Sequence, residues 1–271
     1  MNLLDNRFDK YSRCGNDGII EVILKTANIS NGTFVEFGAW DGIMGSNCRK
    51  LFEEGWKGVF IEPEGSRYQD LCRNYERCDN IKCVQSLVGQ TSNLFDDIVA
   101  PHVDLIDFCS IDIDGLDLEI FETFDKYLPT IVCIEGGQML HPFYERIPLE
   151  KAKHNIQQSL SVIDESCRKK GYRVLCSYQD TFIIKENLFG LFDVKEDMMD
   201  LYLDGIKVLA RRLPWIKQML DKVGLENDII NSVLEECGFD KYGFRGRKEW
   251  AIQEHDAICK FVEEIRNGYK S

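Results

Sequence analysis

Five short apolar runs recur between residues 33 and 137: TFVEFG, KGVFIEP, IKCVQSLV, LIDFCSIDIDG and TIVCIEGG. Between them lie stretches of helical periodicity, namely SNCRKLFEEGW, RYQDLCRNYERC and DLEIFETFDKYL. GIIEVILKTA, a further amphipathic segment, precedes the first run. Strands alternating with helices over short connections predict a parallel, doubly wound α/β sheet, because each crossover helix covers one face of the sheet. The first crossover helix is expected to open on Ser46 or Asn47 as cap and to close near Gly55.

Further along, Ile156, Leu160, Ile163 and Cys167 fall at helical spacing up to Gly171. YRVLCSY and TFIIKEN then read as two close strands, an antiparallel pair on the sheet edge. From residue 190 the strand signals stop. DMMDLYLDGIKVLARRL, PWIKQMLDKVG, ENDIINSVLEECG and EWAIQEHDAICKFVEEIRNG all look helical, with Pro214 opening one helix and Gly224 and Gly238 closing others. The expected organisation is an α/β domain over residues 1–189 and a helical subdomain over 190–271. No internal repeat stands out.

Composition narrows the function classes. The 271 residues carry a net charge of −13 and a pI near 4.9. So acidic a chain is a poor nucleic-acid binder, since phosphate neutralisation dominates that affinity, and a poor match for anionic membrane surfaces. No apolar stretch is long enough to span a bilayer, and the N-terminus lacks the apolar run of a signal peptide. A cytoplasmic location is expected. The 11 cysteines are scattered singly, with no C-x-x-C, as for reduced thiols used as small hydrophobes. Cys72, Cys78 and Cys83 cluster without a zinc-ligand spacing.

In an open parallel sheet, ligands bind beyond the carboxyl ends of the strands near the topological switch point. The polar residues gather at those ends: Glu36 and Asp41 at the first, Glu62 at the second, Ser86 at the third, Asp112 and Asp114 at the fourth, Glu135 at the fifth. A core does not require acids at four strand ends. Glu62 follows the glycine-rich turn GAWDGIMG by about twenty residues, where an acid accepts both hydroxyls of a ribose. Gly38, Gly42 and Gly45 do not keep the G-x-G-x-x-G spacing, and the acidic turn repels a pyrophosphate while attracting a sulfonium. The balance favours S-adenosylmethionine over NAD.

VEFGAWDGIMGSN, LFEEGWKGVFIEP, IDFCSIDIDG and IVCIEGG together resemble the FkbM-type S-adenosylmethionine-dependent methyltransferases, as does the upstream segment YSRCGNDGIIEVIL. The resemblance covers about residues 11 to 187 and leaves the C-terminal helices outside. It implies a class I methyltransferase fold, Rossmann-like. It implies that Glu36, Gly38, Ala39, Asp41 and Gly42 form the turn around the methionine part of the cofactor. Asn47, at a helix start, would hold the cofactor's carboxylate; Glu62, followed by Pro63, would take the ribose. Ser86 and Leu87 would lie near the adenine, and Asp112 would face the sulfonium and the acceptor. Members of the family often methylate hydroxyls of sugars or other secondary metabolites. This chain departs from the pattern at Cys48, where the family often has Thr, and after the fifth strand. There Gly136, Gly137, Gln138 and His141 stand in place of a Tyr-Asn pair.

A hydroxyl acceptor needs a base or a metal to take its proton. His141, Asp112 and Asp114 are the candidates for base. Asp112, Asp114 and Glu135, with Glu36 as a further donor, suit an oxygen-only cation such as magnesium. The plainer alternatives are that His141 only packs or caps its loop, and that the acids bind the cofactor and cap the helix beginning at Asp117. Trp40 either covers the cofactor or staples the turn. Arg211 and Arg212 either meet an anionic acceptor or form a solvated face. Asp180 sits between the last two strands, and the sequence leaves open which end of the sheet it approaches. The expected partner is a small-molecule or glycan-precursor acceptor, and the helical tail offers a route to a homo-oligomer. Two other functions stand beside the methyltransferase reading: a non-catalytic cofactor-binding scaffold, disfavoured by the retained Asp112 and Asp114, and an NAD(P)-dependent oxidoreductase.

Overall fold

The structure is a computed structural model that describes residues 2–138, 140–149 and 157–212. After a short 3-10 turn at Leu3–Asn6, the elements run α1 (Asn16–Thr26), β1 (Thr33–Phe37), α2 (Arg49–Glu53), β2 (Lys57–Ile61), α3 (Gly65–Tyr75) and β3 (Ile81–Val84). They continue α4 (Phe95–Val99), β4 (Phe108–Ile111), α5 (Asp117–Phe121), β5 (Ile131–Glu135), α6 (Leu160–Lys169), β6 (Tyr172–Ser177), β7 (Asp180–Lys185), α7 (Glu186–Phe189) and α8 (Met198–Arg212).

One seven-stranded sheet has the order β3-β2-β1-β4-β5-β7-β6. β1 to β5 pair in parallel, and β7 is antiparallel to both β5 and β6. This is a Rossmann-like, mostly parallel α/β arrangement. Successive strand residues face opposite sides. Phe34, Phe60 and Phe108 therefore pack under α1, α2 and α3. Val35, Ile61, Cys109 and Val132 pack under α4, α5 and α6. Both faces are covered, which is why the central strands read as continuous apolar runs rather than alternating ones. The order reverses between β1 and β4, so the switch point lies beyond Phe37 and Ile111.

Several expected boundaries move. β3 ends at Val84, leaving Ser86 two residues past the strand, and α4 is an additional helix. α5 has five residues; the helical pattern expected from 117 to 128 gives way to a turn at 122–123 and then irregular chain, with Phe121 and Phe124 packing edge to face. α2 begins at Arg49. The N-cap position is Cys48, not Ser46 or Asn47 as expected; Ser46 Oγ accepts the N–H groups of Cys48 and Arg49 at 3.2 and 3.0 Å from two residues before the cap.

Of the region after residue 189, the described part is packed on the sheet. Leu201, Tyr202 and Ile206 of α8 belong to the same apolar cluster as the sheet, and the Tyr202 hydroxyl donates to the Gln138 carbonyl at 3.2 Å. The expected helices of 213–271, with Pro214, Gly224, Gly238 and the proposed oligomer face, lie outside the described residues. So do Ile156 and the side chains of Arg211 and Arg212. Among the described residues no helix is long and apolar enough to cross a membrane.

Candidate active site

A cavity of about 870 Å³ opens at the switch point. β1 and its following turn contribute Glu36, Gly38, Ala39 and Trp40. β2 contributes Glu62 and Pro63, the loop after β3 contributes Ser86 and Leu87, and the turn after β4 contributes Asp112 and Asp114. Arg13, from the segment before α1, forms part of the wall.

Gly38 is the fixed point of this wall. Its φ of +75° is left-handed, and a Cβ there would lie 1.7 Å from the backbone oxygen of Asp112. Only glycine lets the β1 turn close on the β4 turn. Beside it, Glu62 is buried and accepts the N–H groups of Trp40 at 2.8 Å and Glu64 at 2.9 Å. Each carboxylate oxygen thus holds one backbone donor and keeps capacity for another, which suits a vicinal diol at the end of β2.

Glu36 plays a different part from the one its position implies. Its carboxylate accepts from Ser46 Oγ at 2.5 Å and from the N–H groups of Asn47 and Cys48 at 2.9 and 3.3 Å. Burial pushes its pKa up to about 7 against the pull of those hydrogen bonds, and Asp112 adds to the rise. Glu36 therefore ties the 46–48 loop to the sheet.

Asn47 does not line the cavity. Its Nδ2 donates to Ser110 Oγ at 2.9 Å, and its Oδ1 accepts from Asn16 Nδ2 at 2.9 Å. Its expected role as carboxylate ligand does not fit this placement, because the side chain is spent on buried partners. Asp41 and Gly42 also fall outside the lining. Asp41 accepts the N–H groups of Ile43 and Met44, and the Gly42 carbonyl accepts from Tyr75 on α3.

The β4 turn is acidic. Asp117, buried, accepts the N–H groups of Ile113 and Gly115 at 2.9 and 3.0 Å and so fixes the turn; burial raises its pKa to about 8. Asp112 and Asp114 are open to the cavity, yet protein packs closely enough around Asp112 to strip much of its water. Its pKa moves up for that reason first, with Asp114 adding to the shift and Arg13 opposing it. Glu135 moves up through burial and through Asp112, Asp117, Asp180 and Asp114 in turn, while Gln157 donates to it at 2.7 Å. Oxygens of Asp112, Asp114 and Glu135 all lie within 4.8 Å of one another. The three acids expected as cation ligands do come together.

His141 does not line the cavity. Its Nδ1 accepts the Phe143 N–H at 3.3 Å within its own loop.

Asp180 settles at the site end of the sheet. It pairs in register with Glu135, is buried, and accepts from Asn16 Nδ2 at 2.8 Å. Burial, then Asp112, raises its pKa to about 7. Asn16, Asn47, Ser110 and Asp180 form a polar network beneath the glycine-rich turn. The sequence carried a trace of it in the polar opening of α1, but the partners are up to 164 residues apart.

The rim is apolar. Trp40, Met44 and Leu87 line the mouth and are 41, 62 and 68% exposed, and the Arg67 guanidinium lies 4.5 Å from the Trp40 ring centre. Trp40 thus stands at the entrance, its backbone stapled by Glu62.

No protein-family model matches the sequence, and no curated protein does. Among solved structures the chain is similar to the N-terminal domain of EvdMO1 with SAH bound, at 8% identity and a TM-score of 0.45, over 65% of this chain and 82% of that one. It is also similar to a SAM dependent methyltransferase from Aquifex aeolicus, at 14% identity and a TM-score of 0.37, over 60% and 86% of the two chains. The N-terminal domain of human METTL16 matches at 16% identity and a TM-score of 0.39, over 62% and 69%.

Proposed function

We propose that the protein is an S-adenosylmethionine-dependent methyltransferase acting on a hydroxyl, of the FkbM type, with a sugar or glycan precursor as acceptor. The observation that carries the reading is the cavity's donor set. Glu62 stands ready for a ribose at the end of β2, and Asp112 and Asp114 make the floor acidic. That chemistry suits a cationic ligand with a diol and opposes the pyrophosphate of NAD. The FkbM subtype rests on the sequence resemblance, and the sugar acceptor rests on that subtype.

When bound, the cofactor supplies an electrophilic methyl group on a sulfonium; the acceptor oxygen gains the methyl as it loses a proton. The chain's own residues bind, orient and take that proton. Gly38 brings the β1 and β4 turns together, so that Glu62 and Asp112 address one ligand. Asp112, open to the cavity and raised in pKa, is the carboxylate placed to take the hydroxyl proton. Trp40 and Leu87 shield the mouth from water.

A second reading concerns Asp112, Asp114 and Glu135, whose mutual approach suits a divalent cation such as magnesium. A cation there would lower the pKa of an acceptor hydroxyl and leave Asp112 a ligand instead of a base.

Titration calorimetry with S-adenosylhomocysteine and with NAD tests the cofactor assignment. S-adenosylhomocysteine binds and NAD does not. Binding of NAD alone would replace the reading with an oxidoreductase.

A further inference from the structure

The segment before α1 is built around one carboxylate. Asp17 Oδ2 accepts the N–H groups of Lys10, Tyr11 and Ser12 at 2.7, 2.8 and 2.9 Å and the Ser12 hydroxyl at 2.8 Å. This hook is fastened to the glycine-rich turn, because the Gly45 N–H donates to the Tyr11 carbonyl at 2.9 Å and Ser12 bridges to Gly45. The next residue, Arg13, is thereby carried over the turn into the cavity wall. Its Nε lies 3.1 Å from where a Cβ on Gly45 would stand, and its charge is felt by Asp112. Its side chain makes no hydrogen bond or ion pair among the described residues.

An amino-acid ligand part brings a carboxylate as well as an ammonium. The acids of the cavity serve the ammonium. The obvious donors for the carboxylate are already spent: the N–H groups of Asn47, Cys48 and Arg49 go to Glu36 and Ser46, and the Asn47 amide goes to Ser110. The other arginine in the wall, Arg67, lies against Trp40 at the mouth.

We infer that Arg13 binds the α-carboxylate of the methionine part of the cofactor, with the Asp17 hook as the device that aims it. The inference rests on the proposed cofactor. Arg13 on one side and the acids of the cavity on the other then form the two poles that a zwitterion requires, and the guanidinium meets the carboxylate as a two-pronged donor.

The test is calorimetry on the full chain with two ligands, S-adenosylhomocysteine and 5′-methylthioadenosine, which keeps the adenosine and sulfur but lacks the amino acid. In Arg13→Gln, S-adenosylhomocysteine binds about tenfold to hundredfold more weakly, the usual worth of a charged hydrogen bond, while methylthioadenosine binds as to the wild type. Arg13→Lys retains part of the affinity. Because Arg13 is exposed and its side chain is bonded to none of the described residues, both variants keep the wild-type melting temperature. An equal loss for both ligands, or no loss for either, overturns the assignment of Arg13 and leaves the cofactor reading standing. Failure of the wild type to bind S-adenosylhomocysteine removes the cofactor reading, and this inference with it.

Discussion

Replacing Gly38 by alanine tests whether the site is assembled by the contact of two turns. Two costs arise. The left-handed φ of +75° costs a residue with a Cβ about 1–2 kcal/mol. The new methyl would also stand 1.7 Å from the Asp112 carbonyl oxygen, a backbone atom that no rotamer change can move. Relief requires β1 and β4 to part at the switch point, and overpacking of this kind costs about 1–3 kcal/mol. Together these give about 2–5 kcal/mol. At about 2–4 °C per kcal/mol for a chain of this size class, the melting temperature falls by roughly 4–20 °C. Gly55→Ala is the control, since Gly55 has φ +92° and nothing within 4 Å of a Cβ; it bears the backbone cost alone. Differential scanning calorimetry reads the stability, and S-adenosylhomocysteine titration reads the site. Gly38→Ala should melt below Gly55→Ala and lose ligand affinity, whereas Gly55→Ala keeps it. Equal melting temperatures and retained binding in both would show that the turns do not meet as described.

Three further outcomes follow from the acidic site. Glu36, Asp117 and Asp180 titrate near 7, 8 and 7 when folded against about 4 when unfolded. The folded protein therefore holds more protons across that window, so its stability is greatest below it and falls as pH rises from about 5 to 8. Melting temperatures that climb over this range would contradict the burial of these acids, and Asp180→Asn should flatten the fall. In methyl transfer, Asp112→Asn should lower turnover by about 10²–10⁴ while His141→Ala stays near wild type, measured by release of S-adenosylhomocysteine; the reverse order would make His141 the base. Activity that survives exhaustive EDTA treatment assigns the proton to Asp112 alone, whereas its loss and recovery with magnesium assigns Asp112, Asp114 and Glu135 to a cation.

The sheet was legible because its strands are buried on both faces and so read as unbroken apolar runs between helical stretches. That the glycine-rich turn, Glu62 and the β4 acids gather around one cavity was legible because they follow parallel strands and so fall at the same edge of the sheet. What escaped depends on contacts across long sequence separations. Glu36 and Asn47 looked like ligand groups by position, but Ser46, Ser110 and Asn16 occupy them, and no local pattern announces such partners. Arg13 stood in a segment that drew notice only for its resemblance, and its entry into the cavity depends on Asp17 and Gly45. The extents of α2 and α5 were overestimated because amphipathic spacing continues through turns that pack as well as helices do. Asp180 was undecided until pairing with Glu135 fixed its end of the sheet.

A crystal structure with S-adenosylhomocysteine bound tests the central claim most directly. The account predicts the ribose hydroxyls on the Glu62 carboxylate, the sulfur facing Asp112 and the α-carboxylate on Arg13, in the cavity at the β1–β4 switch point. Ligand density elsewhere on the protein, or a ribose with no contact to Glu62, would contradict it.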